Sequence, residues 1–93
     1  IAEKMCHNPA TLYRIEKRGF IREGYFADLT IVDLHSSWAV CKENILYKCG
    51  WSPLEGTTFQ SKVTHTFVNG NLIYESGLFN EGINGKALTV AEN

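Results

Sequence analysis

The dipeptide Asn69-Gly70 constrains the fold of this chain more than any other feature of its sequence. It lies between residues 63–68, in which apolar and polar side chains partly alternate, and the strand-like residues 71–75. Asn-Gly between two such runs favours a type I′ turn, because both central residues of that turn need a positive φ. The sequence therefore predicts an antiparallel hairpin with a two-residue loop.

A further strand is predicted over residues 28–34, where apolar side chains cluster between two aspartates. Leu29 and Ile31 would share one face of this strand, and Thr30 and Val32 would share the other. A strand with apolar residues on both faces needs cover on both sides.

Asp28 and Asp33 could in principle act as a catalytic acid and base, but their spacing argues against it. Their offset of five positions places them on opposite faces of a strand, so they cannot act on one substrate. We interpret Asp28 as the residue that starts the strand by accepting hydrogen bonds from nearby backbone N–H groups. Asp33 would end it in the same way.

The first residues have helical composition without a preceding N-cap residue. We therefore interpret residues 1–7 as part of a helix cut in the middle, and we expect the chain to be a fragment. Asn8-Pro9 is expected to stop that helix near His7. Asn8 would then cap a second short helix, with Pro9 at its first position and residues 10–15 as its turns.

The remaining segments give weaker signals. Residues 42–48 are compatible with one or two helical turns that end at Gly50. Residues 51–56 form a loop, in which proline and glycine interrupt regular structure. Residues 78–93, broken by two glycines, predict a loop with a frayed tail.

Composition places the chain among small globular domains. It has 93 residues, of which 44% are hydrophobic and 20% charged, and a net charge of −1. No large basic block is present, which argues against a nucleic-acid partner. No apolar run is long enough to cross a bilayer, and no signal-peptide pattern is found.

The chain contains three cysteines, Cys6, Cys41 and Cys49. An odd number without regular spacing does not indicate a disulfide framework, so we expect a reducing, cytoplasmic location and semi-buried thiols. Cys49, next to Lys48 and Gly50, is the cysteine whose setting best suggests a nucleophile. That signal is unspecific, and we predict no catalytic role for it.

The histidines His7, His35 and His65 lie 28 and 30 positions apart in three different predicted elements. A metal site that can be recognised from sequence needs close spacing such as His-x-x-x-His. Cys6 and His7 are adjacent and would point about 100° apart on a helix. We therefore predict that the chain contains no catalytic, cofactor-binding or metal-binding residue.

Three stretches, taken in order, resemble one enzyme family. The first runs from Asn-Pro-Ala at residues 8–10 through the pattern Gly-x-Ile-x-x-Gly-x-x-Ala-Asp-Leu-x-Ile-x-Asp at residues 19–33. The last is Phe-Val-Asn-Gly-Asn-Leu-Ile-Tyr at residues 67–74. Both are similar to segments shared across the amidohydrolase superfamily. Between them, residues 48–59 hold Cys-Gly-Trp followed by Ser-Pro-Leu-Glu-Gly, which resembles dihydroorotases more than hydantoinases or allantoinases.

This resemblance, which covers roughly residues 1–80, implies a parent enzyme with a (β/α)₈ barrel, typically of about 250 residues. One or two zinc ions would activate a water that opens a cyclic amide. In that family the metal-binding histidines, the carboxylated lysine and the acid–base aspartate precede the Asn-Pro-Ala segment. None of them maps onto this sequence, so the zinc of the parent would not be bound here.

The fold class implied is an α+β fragment. Residues 1–18 would be the last helix of a TIM barrel, residues 19–80 the C-terminal half of a small composite β-sandwich domain, and residues 81–93 a tail. The implied partners are the rest of the parent chain and, in the parent, a cyclic amide such as dihydroorotate or its ring-opened form, N-carbamoyl-aspartate, of pyrimidine biosynthesis. A membrane partner is not expected.

Two alternatives remain open: a fragment of a hydantoinase- or allantoinase-like hydrolase, and a non-catalytic β interaction module. In the amidohydrolase family the other half of the small domain comes from the opposite end of the chain. We therefore expect open sheet edges here, and self-association of this chain through them.

Overall fold

The computed structural model of the chain describes residues 1–91. A π-helical turn, Glu3–His7, runs directly into an α-helix, α1, Asn8–Leu12. The expectation that the helix stops near His7 and that Asn8 caps a new one is wrong: Asn8 is helical, with φ −64° and ψ −46°, and its N–H donates to the carbonyl of Glu3. Pro9 lies in the first turn of α1, as expected. The wider π turn accommodates a residue that has no N–H and a bulky ring, so the helix continues.

After α1 the chain folds back against the helix at Gly19. This residue has φ +86°, and a Cβ built on it would lie 2.4 Å from the Cβ of Ala10 and 2.7 Å from the carbonyl oxygen of Cys6. Both the backbone conformation and the close contact therefore require glycine.

The predicted hairpin is confirmed. Strands β4, Lys62–Val68, and β5, Asn71–Glu75, pair antiparallel around the turn. Asn69 and Gly70 have φ values of +51° and +82°, and both are positive as a type I′ turn requires. The turn was predictable because its signal is carried by the two residues themselves.

The predicted strand over residues 28–34 is also present, as β1, Leu29–Asp33, which pairs antiparallel with β4. A register shift between Ile31 and Val32 interrupts the expected alternation. These two side chains are about equally exposed, at 47% and 45%. The sheet has the order β1-β4-β5-β6, where β6 is Leu78–Phe79.

A second, two-stranded sheet pairs β2, Trp38–Ala39, with β3, Thr58–Phe59. The expected helical turns at 42–48 shrink to one 3₁₀ turn, Lys42–Asn44. The side chain of Asn44 explains why: it accepts from the N–H of Cys41 at 3.1 Å and donates to the carbonyl of Ala39 at 2.9 Å. These bonds tie the turn to the residues that precede it and so compete with a longer helix.

The expected frayed tail over 78–93 is ordered in two places. Leu78–Phe79 forms β6, and Val90 makes an isolated antiparallel bridge with Ile15, flanked by two backbone hydrogen bonds of 2.8 Å. Residues 92–93 of the predicted tail lie outside the described residues. The tail therefore returns to the segment that follows α1.

The interior is small. Among residues 1–91 only Ala10, Val40 and Arg18 are buried, and no side chain is completely inaccessible to solvent. The radius of gyration is 15.8 Å, against about 12 Å for a compact domain of this length. The chain is thus extended, with much of its apolar surface uncovered.

We expect that replacing Gly70 with valine destabilises the hairpin by about 1–3 kcal/mol. A Cβ here would meet no atom within 4 Å, so the cost comes from the backbone: a β-branched residue tolerates positive φ poorly. Urea denaturation measures the change. Gly70→Asn is the matched control and should cost less, because asparagine enters this region more readily. Equal midpoints for the two variants would contradict the prediction.

Candidate functional site

Among the described residues, three polar side chains that are distant in sequence form one hydrogen-bonded cluster. We call this cluster the Arg18 junction: Arg18, Asp28 and Asn69. The Arg18 guanidinium forms an ion pair with the Asp28 carboxylate and donates to Oδ1 of Asn69 at 3.0 Å. The second oxygen of Asp28 accepts from the backbone N–H of Asn69 at 2.8 Å. Arg18 is only 9% exposed. The junction therefore joins the segment after α1, the start of β1 and the hairpin turn.

Aromatic and backbone contacts reinforce this junction. The guanidinium carbon of Arg18 lies 4.2 Å from the ring centroid of Phe26, a distance at which a cation is attracted to the ring face. The N–H of Phe26 donates to the carbonyl of Lys17 at 2.9 Å, and the N–H of Gly70 donates to the carbonyl of Ala27 at 3.0 Å. Three separate segments are thus held at one point.

The chemistry of the Arg18 junction fits a role in holding three segments of the chain together better than a role in catalysis. Both carboxylate oxygens of Asp28 accept hydrogen bonds from within the chain, which makes this side chain a structural acceptor. The interpretation that Asp28 accepts from nearby backbone N–H groups is wrong in its partner, because the N–H that it binds belongs to Asn69, 41 positions away. Asp33 accepts from the N–H of His35 at 2.9 Å, as a residue that ends a strand would.

The sequence interpretation did not identify Arg18 or the side chain of Asn69 as partners of Asp28. Arg18 lies ten positions from Asp28 and 51 from Asn69, so no local pattern connects them. One signal was available: the amide oxygen of an asparagine in a tight turn commonly accepts a hydrogen bond when it is covered, and Oδ1 of Asn69 does so although its Nδ2 is buried without a partner among the described residues.

The three histidines have separate surroundings. The ring of His7 stacks on Phe20, with centroids 4.3 Å apart. His65 lies 3.7 Å from a carboxylate oxygen of Glu75. In the part of the chain that the structure describes, no group of three or more histidine, cysteine, aspartate or glutamate side chains is placed to hold a metal ion. That this chain contributes no zinc ligand stays a prediction.

All three cysteines are exposed, so the expectation of semi-buried thiols is wrong. The interior is too small to take them in. Cys49 lies near the carbonyl of Trp51, with Sγ 3.8 Å from its oxygen.

The carboxyl group of Glu43 is exposed. Hydrogen bonds with the side chain of Cys41, and then with its own backbone, hold the pKa of Glu43 below its ordinary value.

An open cleft of about 360 Å³ lies beside the Arg18 junction. Its charged lining residues are Arg14, Glu16, Arg18 and Arg22. Arg18 is engaged by Asp28, and the guanidinium carbon of Arg22 lies 4.0 Å from the ring centroid of Phe20. The cleft therefore has a positive character, but it assembles no pair of groups that could act as acid and base.

Within residues 1–91, no helix is both long and apolar enough to cross a membrane.

Comparisons of sequence and of structure relate this chain to known proteins. The chain is 40% identical to the dihydroorotase of Pyrococcus furiosus over 75 residues, which is 81% of this chain and 18% of that protein. It is 32% identical to the allantoinase of Desulfitobacterium hafniense over 77 residues, or 83% of this chain and 17% of that protein. Among solved structures, an L-hydantoinase from Arthrobacter aurescens matches with a TM-score of 0.74 and 29% identity, covering 85% of this chain and 18% of that one.

The chain thus spans less than a fifth of the length of these relatives. A sequence model described as "Amidohydrolase family" matches residues 1–73 of this chain. A match over most of the chain, supported by relatives of 40% identity and by a similar solved structure, establishes that this chain belongs to the amidohydrolase family.

Proposed function

We propose that this chain is the β-rich end of a dihydroorotase-like hydrolase that opens or closes a cyclic amide, dihydroorotate or N-carbamoyl-aspartate, in pyrimidine biosynthesis in the cytoplasm. The observation that carries the proposal is the gradient of identity among the relatives. Dihydroorotases from different organisms reach 40%, whereas the allantoinase reaches 32% and the L-hydantoinase 29%. The Cys-Gly-Trp and Ser-Pro-Leu-Glu-Gly run at residues 48–59 supports the same choice.

Within such an enzyme, the chain would act as scaffold. Residues 1–18 would be the last helix of the barrel, and residues 19–80 would be half of the small β domain. The Arg18 junction supports this role, because its hydrogen bonds tie the segment that follows α1 to the sheet.

Zinc in the complete enzyme would supply an activated water. Within residues 1–91 no group of three or more potential ligand side chains is placed to hold it, so the described side chains do not form a site for it. The ligands would therefore come from the rest of the enzyme.

We expect the 93-residue chain alone to show no dihydroorotase activity, because the carboxylates and histidines of residues 1–91 do not assemble a ligand cluster. The measurement is ring closure of N-carbamoyl-aspartate with added zinc, with the complete P. furiosus dihydroorotase as the positive control. Turnover by the purified chain that disappears when one of its own residues is mutated would contradict the prediction.

The identity of the parent can be tested with chimeras. This chain would replace the matching segment of the P. furiosus dihydroorotase and, separately, of the A. aurescens L-hydantoinase. We expect the first chimera to keep its ring-closing activity and the second to lose most of its own, because side chains at the barrel contact are matched to one enzyme type. Activity in the second chimera alone would favour the hydantoinase-like alternative.

We also propose that the isolated chain self-associates through β1, the longer of the two edge strands of the four-stranded sheet. Ile31 and Val32 on this strand are nearly half exposed. The described part of the tail pairs with Ile15 and leaves this edge open. An open edge beside apolar side chains favours pairing with a second copy.

Sedimentation of the chain at micromolar concentration measures this association. We expect a dimer, and we expect Val32→Lys to shift it toward monomer, because charge on an edge strand opposes pairing. Leu88→Lys, at an exposed position of the tail outside the strands, is the matched control. A monomer that unfolds cooperatively would refute the proposal.

A further inference from the structure

The sequence contains two Asn-Gly dipeptides, Asn69-Gly70 and Asn84-Gly85. In such a pair the backbone nitrogen of glycine can attack Cγ of the asparagine side chain. The new N–Cγ bond closes a succinimide ring, the Cγ–Nδ2 bond breaks, and ammonia leaves. Water then opens the ring at either carbonyl, which gives aspartate or isoaspartate. Glycine permits this reaction best, because it has no Cβ to shield the attacking nitrogen.

Asn84-Gly85 is placed for this reaction. Both residues are exposed and lie outside any helix or strand. Across the described residues, the structure gives the N–H of Gly85 no hydrogen-bond acceptor, and a Cβ built on this glycine would meet nothing within 4 Å. The nucleophile is therefore accessible, and no hydrogen bond given for the described residues holds it away from Cγ of Asn84.

Asn69-Gly70 is held by the Arg18 junction. The N–H of Gly70 donates to the carbonyl of Ala27 at 3.0 Å, so the attacking nitrogen is engaged. The side-chain oxygen of Asn69 accepts from Arg18 at 3.0 Å, which fixes the position of Cγ.

The guanidinium has two opposing effects on this asparagine. It draws electron density from Cγ, which favours attack, but attack first requires the N–H of Gly70 to leave its acceptor and the turn to open. Opening also breaks charge-assisted hydrogen bonds of the junction, a class that is stronger than hydrogen bonds between neutral groups. Protection therefore outweighs activation.

We propose that Asn84 is a site of spontaneous deamidation in the folded chain, and that the Arg18 junction protects Asn69, which reacts only after the hairpin turn opens. The two sites have different consequences. At Asn84 the reaction adds a negative charge to an exposed loop. At Asn69 isoaspartate lengthens the backbone of a two-residue turn, so the hairpin does not re-form and the opening becomes irreversible.

The test is a time course at mildly alkaline pH. A protease that cuts after glutamate cleaves at Glu75 and Glu81, which separates the two sites for mass spectrometry and isoaspartate detection. In the native chain we expect Asn84 to react more than about tenfold faster than Asn69, because Asn69 needs local opening. In concentrated denaturant the two rates should converge. Equal rates in the native chain, or a difference that persists in denaturant, would overturn the proposal.

Two variants separate the causes. Gly85→Ala should slow the reaction at Asn84 without changing Asn69, since the added methyl shields the nitrogen and meets no neighbour. Arg18→Gln should accelerate Asn69 without changing Asn84. If Arg18→Gln does not fold, a urea series on the unmodified chain applies the same test, because the Asn69 rate must rise with the unfolded fraction. A deamidation rate at Asn69 that stays the same as the unfolded fraction rises would refute the proposal that the Arg18 junction protects this residue.

Discussion

Replacing Gly19 with alanine is expected to destabilise the chain by about 4 kcal/mol, the sum of a left-handed backbone cost and an overpacking cost. The alanine Cβ would lie 2.4 Å from the Cβ of Ala10 and 2.7 Å from the carbonyl oxygen of Cys6. The second neighbour is helix backbone, which cannot move aside without breaking the turn around it. Urea denaturation followed by circular dichroism measures the loss.

Gly24→Ala is the matched control for this substitution. Gly24 has nearly the same backbone conformation, φ +82° against +86°, but a Cβ there meets no atom within 4 Å. The control should therefore cost only about 1–2 kcal/mol. If both variants unfold at the same urea concentration, the contact between Gly19 and the helix is unimportant for stability.

Replacing Asp28 with asparagine is expected to cost about 3 kcal/mol, because it leaves the guanidinium of Arg18 buried and without a counter-charge. The Arg18 side chain is 10% exposed, whereas the Asp28 side chain is 37% exposed. The reverse change, Arg18→Met, should cost less, since water can solvate the carboxylate that remains. Neutralising Asp28 should therefore lower the free energy of unfolding more than removing the charge of Arg18.

A double-mutant cycle at fixed pH and salt measures this difference. Once Arg18 is methionine, the change of Asp28 to asparagine should add little, because the charge that it neutralised is gone. The double variant should therefore be close in stability to Arg18→Met. Additive losses, or single losses within a few tenths of a kcal/mol of zero, would indicate a solvent-screened surface pair instead.

The parts of the fold that were predictable are those whose signals are local. The hairpin follows from the positive φ that Asn69-Gly70 favours, and β1 follows from a run of β-branched and apolar residues. The continuous helix through Pro9 was not predictable, because the local rule for the residue before proline favours a break. A π turn resolves that conflict, and its formation depends on backbone geometry that no residue pattern specifies.

The candidate site divides in the same way. Asp33 was correctly interpreted as a local backbone acceptor, because aspartate at a strand end commonly bonds to nearby backbone, whereas Asp28 bonds to the distant N–H of Asn69. Arg18 was missed, since its partners come from the strand and the hairpin turn and meet only in the folded chain. The family could be recognised from ordered motifs over roughly residues 1–80, and the family match covers residues 1–73.

The near absence of a buried interior has a thermodynamic consequence. Unfolding raises the heat capacity in proportion to the apolar area that becomes newly exposed to water. In this chain many large apolar side chains, Ile21 and Leu78 among them, are already largely hydrated, and only Ala10 and Val40 are buried apolar residues among those described. The heat-capacity increment per residue should therefore fall below the usual value of about 12–15 cal/mol/K. With a small increment the stability curve is less strongly curved, so the loss of stability in the cold should begin at a lower temperature than in a domain with a larger interior.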